Sequence, residues 1–384
     1  MTRVLVTGAA GFIGSRIADV LRVADHEVVG VDALIPAAHP MDAKLPDGVH
    51  RVDVADREAM IELLDGVDVV CHQAAMVGAG VDASDAPRYA RENDWGTARL
   101  LAAMFEAGCA RLVLASSMVV YGSGRFLDAD GTVVHQVGDR RPEDLRAGTF
   151  EHLRDGRPLR WTLTDEDTPF APSTSYAASK CAQEHYARAW SEQTGGSVVA
   201  LRYHNVYGPW MPRDTPYAGV ASVFRSRLAA GLAPLVFEDG GQMRDFVHVD
   251  DVAQANRCAI EATDADGFRA LNVCSGTPIS IGTVARLLSE AADGPAPEIT
   301  GGFRLGDVRH VVADPRRAQE HIGFRATIPP DQGIARFASE PLRSSSGRSE
   351  VQAPAGTSGK VTSNRLPESR LDATIDPEWA STRP

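Results

Sequence analysis

Apolar positions in the first half of the chain follow two rhythms that take turns. Val4–Val6, Glu27–Val31, Val49–Val52, Val67–Cys71 and Arg111–Ala115 are short runs, rich in β-branched residues and almost unbroken in apolarity. That is the pattern of strands buried on both faces. Between them Ile13–Val23, Arg57–Leu64 and a longer stretch, Arg88–Ala107, space their apolar residues at the helical period. Strand and helix in alternation predict an α/β protein with a doubly wound parallel sheet, wrapped by helices on both sides. A helix Tyr176–Gln193 and a strand Ser197–Tyr203 extend it. After Gly208-Pro209 the pattern loosens into loops, short strands and three helical stretches, Gly219–Ala230, Val252–Glu261 and Ile281–Ala292. These predict a smaller C-terminal lobe packed on the strand ends.

Two stretches break the rhythm. Residues 123–169 alternate charges of opposite sign and carry several Gly and Pro, which predicts a partly ordered insertion on the rim of the sheet. From Pro341 to Pro384 the chain is rich in Ser, Gly, Pro, Thr and Arg without periodicity, the composition of a disordered tail.

Charge narrows the partners. Lys and Arg total 39 against 51 Asp and Glu, a formal net charge of −12. An acidic chain without a basic run is a poor binder of phosphate backbones, so no nucleic-acid partner is expected. No apolar run reaches the roughly 18–20 residues that cross a bilayer, so no membrane partner is expected either. The N-terminus enters a strand without a signal-peptide layout. Five cysteines, Cys71, Cys109, Cys181, Cys258 and Cys274, are scattered with no CxxC pair. No disulfide framework or metal site is expected, and a cytoplasmic location fits.

The first candidate chemistry lies at Thr7-Gly8-Ala9-Ala10-Gly11-Phe12-Ile13-Gly14. Gly8 permits a tight turn, Gly11 lets the backbone approach a pyrophosphate, and Gly14 lets the helix sit close to the strand. The N–H groups opening that helix, around Phe12 and Ile13, face the anion. Asp32 ends the second strand, 24 residues after Gly8, where a carboxylate accepts hydrogen bonds from the adenine ribose. With no Arg or Lys beside it in sequence, Asp32 repels a 2′-phosphate and favours NAD over its phosphorylated form.

The GxxGxxG spacing resembles the extended short-chain dehydrogenase/reductases, the NAD-dependent epimerase/dehydratase family, and the resemblance runs over about residues 1–325. It implies a Rossmann-type NAD-binding domain over residues 1–205, a substrate-binding lobe over 206–340 and the tail beyond. His72-Gln73-Ala74-Ala75 resembles the family's cofactor-contacting HxAA, which implies Ala74 and Ala75 as cofactor contacts. Asp53-Val54 resembles its adenine-side pair, and Asn93 with Gly96-Thr97 resembles its helix motif.

Tyr176-Ala177-Ala178-Ser179-Lys180 sets a phenol and an amine four apart, on one face of a helix. A phenol is a poor base near neutrality. A neighbouring ammonium and a positive nicotinamide ring are expected to lower its pKa. The resemblance implies Ser117, at the end of the fifth strand, as the third member, with Ser116 a structural neighbour. The step of 59 positions from Ser117 to Tyr176 exceeds the family's usual gap, and the insertion accounts for most of it. Dehydratases of the family carry Asp-Glu after this serine, to move protons during loss of water. Here Met118-Val119 stands there, which argues against dehydration and equally against decarboxylation.

On the substrate side the resemblance implies Tyr203 near the nicotinamide and Asn205 on the substrate. It implies Arg244 and Arg304 as a diphosphate clamp, and Asp307 as a ribose partner. A guanidinium suits that work because its planar fork donates two hydrogen bonds at once. The segments Ser116–Gly122, Tyr203–Asn205, Met211–Val220 and Gly306–His310 are similar to the dTDP-L-rhamnose 4-epimerases. Insertions in that branch often carry paired cysteines; this one has none, which excludes a metal-stapled insertion. The expected activity is a nucleotide-sugar 4-epimerase with tightly held NAD, a homodimer through Arg88–Ala107 and Tyr176–Gln193. Two alternatives stay open, a 4-keto nucleotide-sugar reductase and a non-catalytic dinucleotide sensor.

Overall fold

Alternate residues of the first strand divide the core in two. In the computed structural model, which describes residues 1–36, 39, 43–78, 83–135, 137–213, 219–262 and 266–343, β1 (Arg3–Thr7) sends Val4 and Val6 to one face and Leu5 to the other. It sits inside a seven-stranded sheet with β2 (Glu27–Asp32), β3 (Val49–Arg51), β4 (Val69–His72), β5 (Arg111–Ser117), β6 (Ser197–Tyr203) and β7 (Phe268–Val273). The order is β7-β6-β5-β4-β1-β2-β3, and every neighbouring pair is parallel.

The main helices are α1 (Phe12–Val23), α2 (Arg57–Leu63), α3 (Gly96–Ala107), α4 (Ser175–Thr194), α5 (Val220–Ala229), α6 (Val249–Glu261) and α7 (Ile281–Ala291). Ile17 and Leu21 of α1 and Val252, Ala255 and Ala259 of α6 cover the Val4/Val6 face. Met60 of α2, Leu100 and Met104 of α3, and Ala187 of α4 cover the Leu5 face. Burial on both faces is what keeps the strands apolar throughout. Strand order reverses between β1 and β4, and the crevice beyond the strand ends at such a switch point is where doubly wound sheets bind ligands.

The expected sheet and helices stand, with instructive departures. Arg88–Ala107 is not one regular helix: Ala86–Tyr89 is α-helical, Ala90–Trp95 widens into i→i+5 turns, and α3 follows. The outer strand β7 gave little sequence signal because Arg269 and Asn272 interrupt its apolar run. Helix α6 starts earlier than the spacing predicts because the His248 ring caps it, accepting from the Asp250 N–H at 3.2 Å. Both α6 and β7 return to the large sheet, so the chain does not divide cleanly at residue 205.

The insertion is more fully structured than expected. Arg125–Leu127 pairs antiparallel with both Val133–His135 and Arg160–Thr162, and Leu153–Arg154 forms a hairpin with Arg157–Pro158. The first residues of the expected tail are held in place: Trp210 N–H donates to the Pro341 carbonyl and Arg343 N–H to that of Met211. Residues 344–384 lie outside the described residues. No helix among the described residues is long and apolar enough to cross a membrane.

Candidate functional site

The turn from β1 to α1 works only with glycine. Gly8 has φ +66°, and a Cβ there would lie 2.8 Å from the Ala74 nitrogen. At Gly14 a Cβ would sit 2.1 Å from the Gly8 carbonyl oxygen, so the helix and turn are as close as backbones can come. Helix α1 has Gly11 as its N-cap and no side-chain cap, which leaves its opening N–H groups available to an anion.

A groove opens over this turn, lined by Gly8, Gly11, Asp32 and, from the neighbouring strand ends, Asp53, Val54, Ala74 and Ala75. These are residues the sequence singles out. Phe12 and Ile13 instead turn inward, Phe12 onto the C-terminal lobe's core and Ile13 onto the sheet. Asp32 is 7% exposed; its carboxylate accepts the Ala10 N–H at 3.0 Å and the Leu34 N–H at 2.8 Å, with His39 Nε2 at 3.3 Å. Burial would raise its pKa, but His39 and the two backbone donors outweigh it and hold the carboxyl below its usual range. A groove with an uncapped helix end at one place and an ionised carboxylate at another fits a dinucleotide.

One correction concerns the surroundings of Asp32. No cation adjoins it in sequence, yet Arg343 comes near enough through space for the Asp32 charge to act on it. Pairing of Arg343 with Pro212 brings it there, and Leu342 packs in the same cluster as Phe12. Nothing local in the sequence signals this.

Two other expected cofactor contacts sit one layer back. Asn93 is fully buried: its Oδ1 accepts the Met76 N–H at 2.7 Å, and its Nδ2 donates to the Met76 carbonyl at 2.9 Å and to Ser179 Oγ at 2.8 Å. With its amide spent this way, Asn93 positions Met76, which does line the groove. Tyr203 donates to Gln73 Oε1 at 3.1 Å and accepts from Asn256 Nδ2 at 2.7 Å. It supports Gln73, the groove residue. His72 bridges Thr7 Oγ1 at 2.8 Å and Thr97 Oγ1 at 3.0 Å, and burial, with the Lys180 charge, pushes its pKa down to about 3. The ring is a neutral brace.

Tyr176 and Lys180 share one face of α4, whose N-cap Thr174 accepts the Ala177 N–H at 3.1 Å. Lys180 Nζ lies 6.0 Å from the Tyr176 ring centre and donates to the Ala115 carbonyl at 2.9 Å. The Ser117 hydroxyl, at the end of β5, faces the Tyr176 phenol closely enough to act on its pKa. The expected lowering of the phenol pKa is not a property of the protein groups alone. Burial raises Tyr176 to about 12, with Ser117 opposing it. Burial also lowers Lys180 to about 7, with Glu184 opposing. A positive nicotinamide ring would act in the opposite direction on the phenol, favouring phenolate.

Behind this face lies a network that sequence reasoning missed. Ser116 donates to Glu184, and Arg202 grips Glu184 with two bonds of 2.9 and 2.7 Å. Arg202 also reaches Tyr121 at 2.9 Å, and Tyr121 donates to Asn272 Oδ1 at 2.7 Å. This ties α4 to β5, β6 and β7 and explains why Ser116 is structural.

On the substrate side, Arg244 donates to the carbonyls of Met243, Val308 and Arg309 at 2.6–2.8 Å, contacts that neutralise none of its charge. Burial lowers its pKa to about 10. Arg304 lies over the Phe237 ring at 5.1 Å, and the charges of Arg304 and Arg244 both act on Asp307. The structure therefore gathers Arg244, Arg304 and Asp307. Asn205 Oδ1 is buried with no hydrogen-bond partner among the described residues, an open acceptor.

A family model described as the NAD dependent epimerase/dehydratase family matches residues 4–274. A dTDP-L-rhamnose 4-epimerase of Burkholderia thailandensis is 36% identical over 86% of this chain and 93% of that protein. The UDP-glucose 4-epimerase of Thermus thermophilus, solved in complex with NAD, superposes with a TM-score of 0.68 at 31% identity, covering 88% of this chain and 98% of that one. That of Thermotoga maritima, solved with UDP-glucose, gives 0.71 at 26% identity, covering 88% and 97%.

Proposed function

This chain belongs to the NAD-dependent epimerase/dehydratase family, and we propose that within it the protein is a 4-epimerase of a dTDP-6-deoxyhexose such as dTDP-L-rhamnose. It is a nucleotide-sugar epimerase-family enzyme whose cofactor is NAD. The observation that carries the finer reading is the convergence of Ser117, Tyr176 and Lys180, with Met118 and Val119 where an eliminating enzyme needs an acid and a base. The likeness to the Burkholderia enzyme supports the choice of sugar.

In this reading Tyr176 takes the proton of the sugar 4-hydroxyl and later returns it, with Ser117 bridging the two oxygens. Lys180 supplies positive charge below the phenolate while the proton is away. Bound NAD would supply reversible hydride transfer at C4, so that inversion there needs no net redox change. Asp32 accepts from the adenine ribose, Asp53 and Val54 flank the adenine, and the Gly8–Gly14 turn with the start of α1 holds the pyrophosphate. Ala74 and Ala75 line the path to the nicotinamide. Arg244 and Arg304 clamp the substrate diphosphate, Asp307 takes a ribose hydroxyl, and Asn205 Oδ1 accepts from the substrate.

A homodimer through Arg88–Ala107 and Tyr176–Gln193 is part of the reading, supported by exposed Trp95, Phe105 and Tyr186 on those segments. A cytoplasmic location accords with the five free cysteines. The purified protein should turn over without added cofactor and carry NAD. A reductase would need reduced cofactor in every cycle, and finding that requirement contradicts the epimerase.

A further inference from the structure

The insertion between Ser117 and Tyr176 is welded to the C-terminal lobe by buried charge. Arg140, its side chain 4% exposed, pairs with Glu238 Oε1 at 2.8 Å and donates to the carbonyls of Phe150 and Asp307 at 2.9 and 2.8 Å. Glu151 receives Arg309 twice, at 2.8 and 3.0 Å, and His310 at 2.8 Å. An insertion fastened this way holds a fixed wall, because breaking any one buried pair leaves its partner uncompensated.

That wall faces a narrow cleft that opens to solvent. One side is Ser123, six residues beyond Ser117, and Ser173, three before Tyr176. The opposite side is the Gly306–Val308 loop, the loop that Arg244 grips at 2.6 Å. The cleft therefore borders the loop of Asp307, assigned above to the substrate, and Ser173, three residues before Tyr176. The insertion closes it with Leu145 and His152.

His152 is the informative residue. It is 5% exposed, yet its Nε2 is buried without a hydrogen-bond partner among the described residues. Its ring packs edge-on against Phe126 at 5.1 Å, which fixes its plane. The Gly138 carbonyl takes a hydrogen bond from the ring, and burial, with the Arg140 charge, holds it neutral, its pKa pushed down to about 4. A neutral imidazole that spends its one N–H on a carbonyl presents its other nitrogen as a bare acceptor. Burying a polar atom that stays unpaired is costly, and a ligand hydroxyl would satisfy this one.

We propose that the insertion forms the wall of the sugar site: His152 Nε2 accepts a hydrogen bond from a hydroxyl of the bound hexose, Leu145 presents apolar surface beside it, and together they select which nucleotide sugar is accepted. This rests on the nucleotide-sugar reading above. His152→Leu removes the acceptor at similar volume. It should raise KM for dTDP-L-rhamnose about tenfold, with smaller change in kcat, while the Kd for dTDP without sugar and the bound NAD stay as in the unaltered enzyme. His152→Asn, which keeps an acceptor, should recover much of the loss. Leu145→Phe tests the same wall by filling it, again raising KM but not the Kd for dTDP. Unchanged KM in these variants of an active enzyme, or equal weakening of bare dTDP, overturns the inference and leaves the epimerase intact. An unaltered protein that inverts no nucleotide sugar overturns both.

Discussion

The Lys180 ammonium stands 6.0 Å from the centre of the Tyr176 ring, one helical turn away, with one of its protons given to the Ala115 carbonyl at 2.9 Å. That tether fixes the position of the amine relative to the ring. In Tyr176→Phe the ring remains and the exchangeable proton goes. Turnover should fall by about 10²–10⁴, with NAD content unchanged. Steady-state rates beside a cofactor assay check this, and undiminished turnover would remove Tyr176 from the reaction.

Burial of Lys180 makes stability depend on pH in a defined direction. Its folded pKa of about 7 lies below the ordinary 10.5. Between those values the unfolded chain holds a proton that the native protein has released, so stability rises with pH, and the penalty is full below 7. Cofactor-free protein should gain about 2 kcal/mol between pH 7 and 9 that Lys180→Met does not gain. Urea midpoints of both proteins at the two pH values measure it.

Asp32 and Arg343 should pull cofactor choice in opposite directions. Asp32→Asn loses a held negative charge and should weaken NAD about tenfold or more while narrowing the preference over the 2′-phosphorylated form. Arg343→Ala removes the positive charge that the C-terminal segment brings towards Asp32, and should widen the preference about threefold. Titration with both cofactors reads each effect.

Gly14→Ala would bring a methyl group to 2.1 Å from the Gly8 carbonyl oxygen. Backbone must move to admit it. Thermal unfolding should show a loss of about 1–3 kcal/mol or more, together with loss of NAD binding, because the same turn carries both.

Arg202→Met strands Glu184 in the interior and should cost about 3–5 kcal/mol. Adding Glu184→Gln should restore a large part of it. Denaturant unfolding of the single and double variants gives the coupling directly.

What was legible in the sequence is what is local. The glycine turn, Asp32 at a strand end and Tyr176 one turn from Lys180 each follow from spacing along one or two elements, and each stands in the expected place. Asn93 and Tyr203 were recognisable as polar residues near the cofactor, but spacing cannot tell a lining residue from its brace. The Glu184–Arg202 pair, the approach of Arg343 to Asp32, and the clasp of Arg140 and Glu151 on Glu238, Arg309 and His310 join residues far apart in the chain. Only packing brings them together. Residues 123–169 suggest partial order because their short strands pair with one another across loops, not in a repeating pattern.

The most direct test of the central claim is to incubate the purified enzyme with dTDP-L-rhamnose, without added cofactor, and follow the sugar by proton NMR. The account predicts conversion to the C4 epimer until the two forms reach equilibrium, with no net change in cofactor absorbance. An unchanged sugar spectrum, or conversion that consumes reduced cofactor mole for mole, would contradict it.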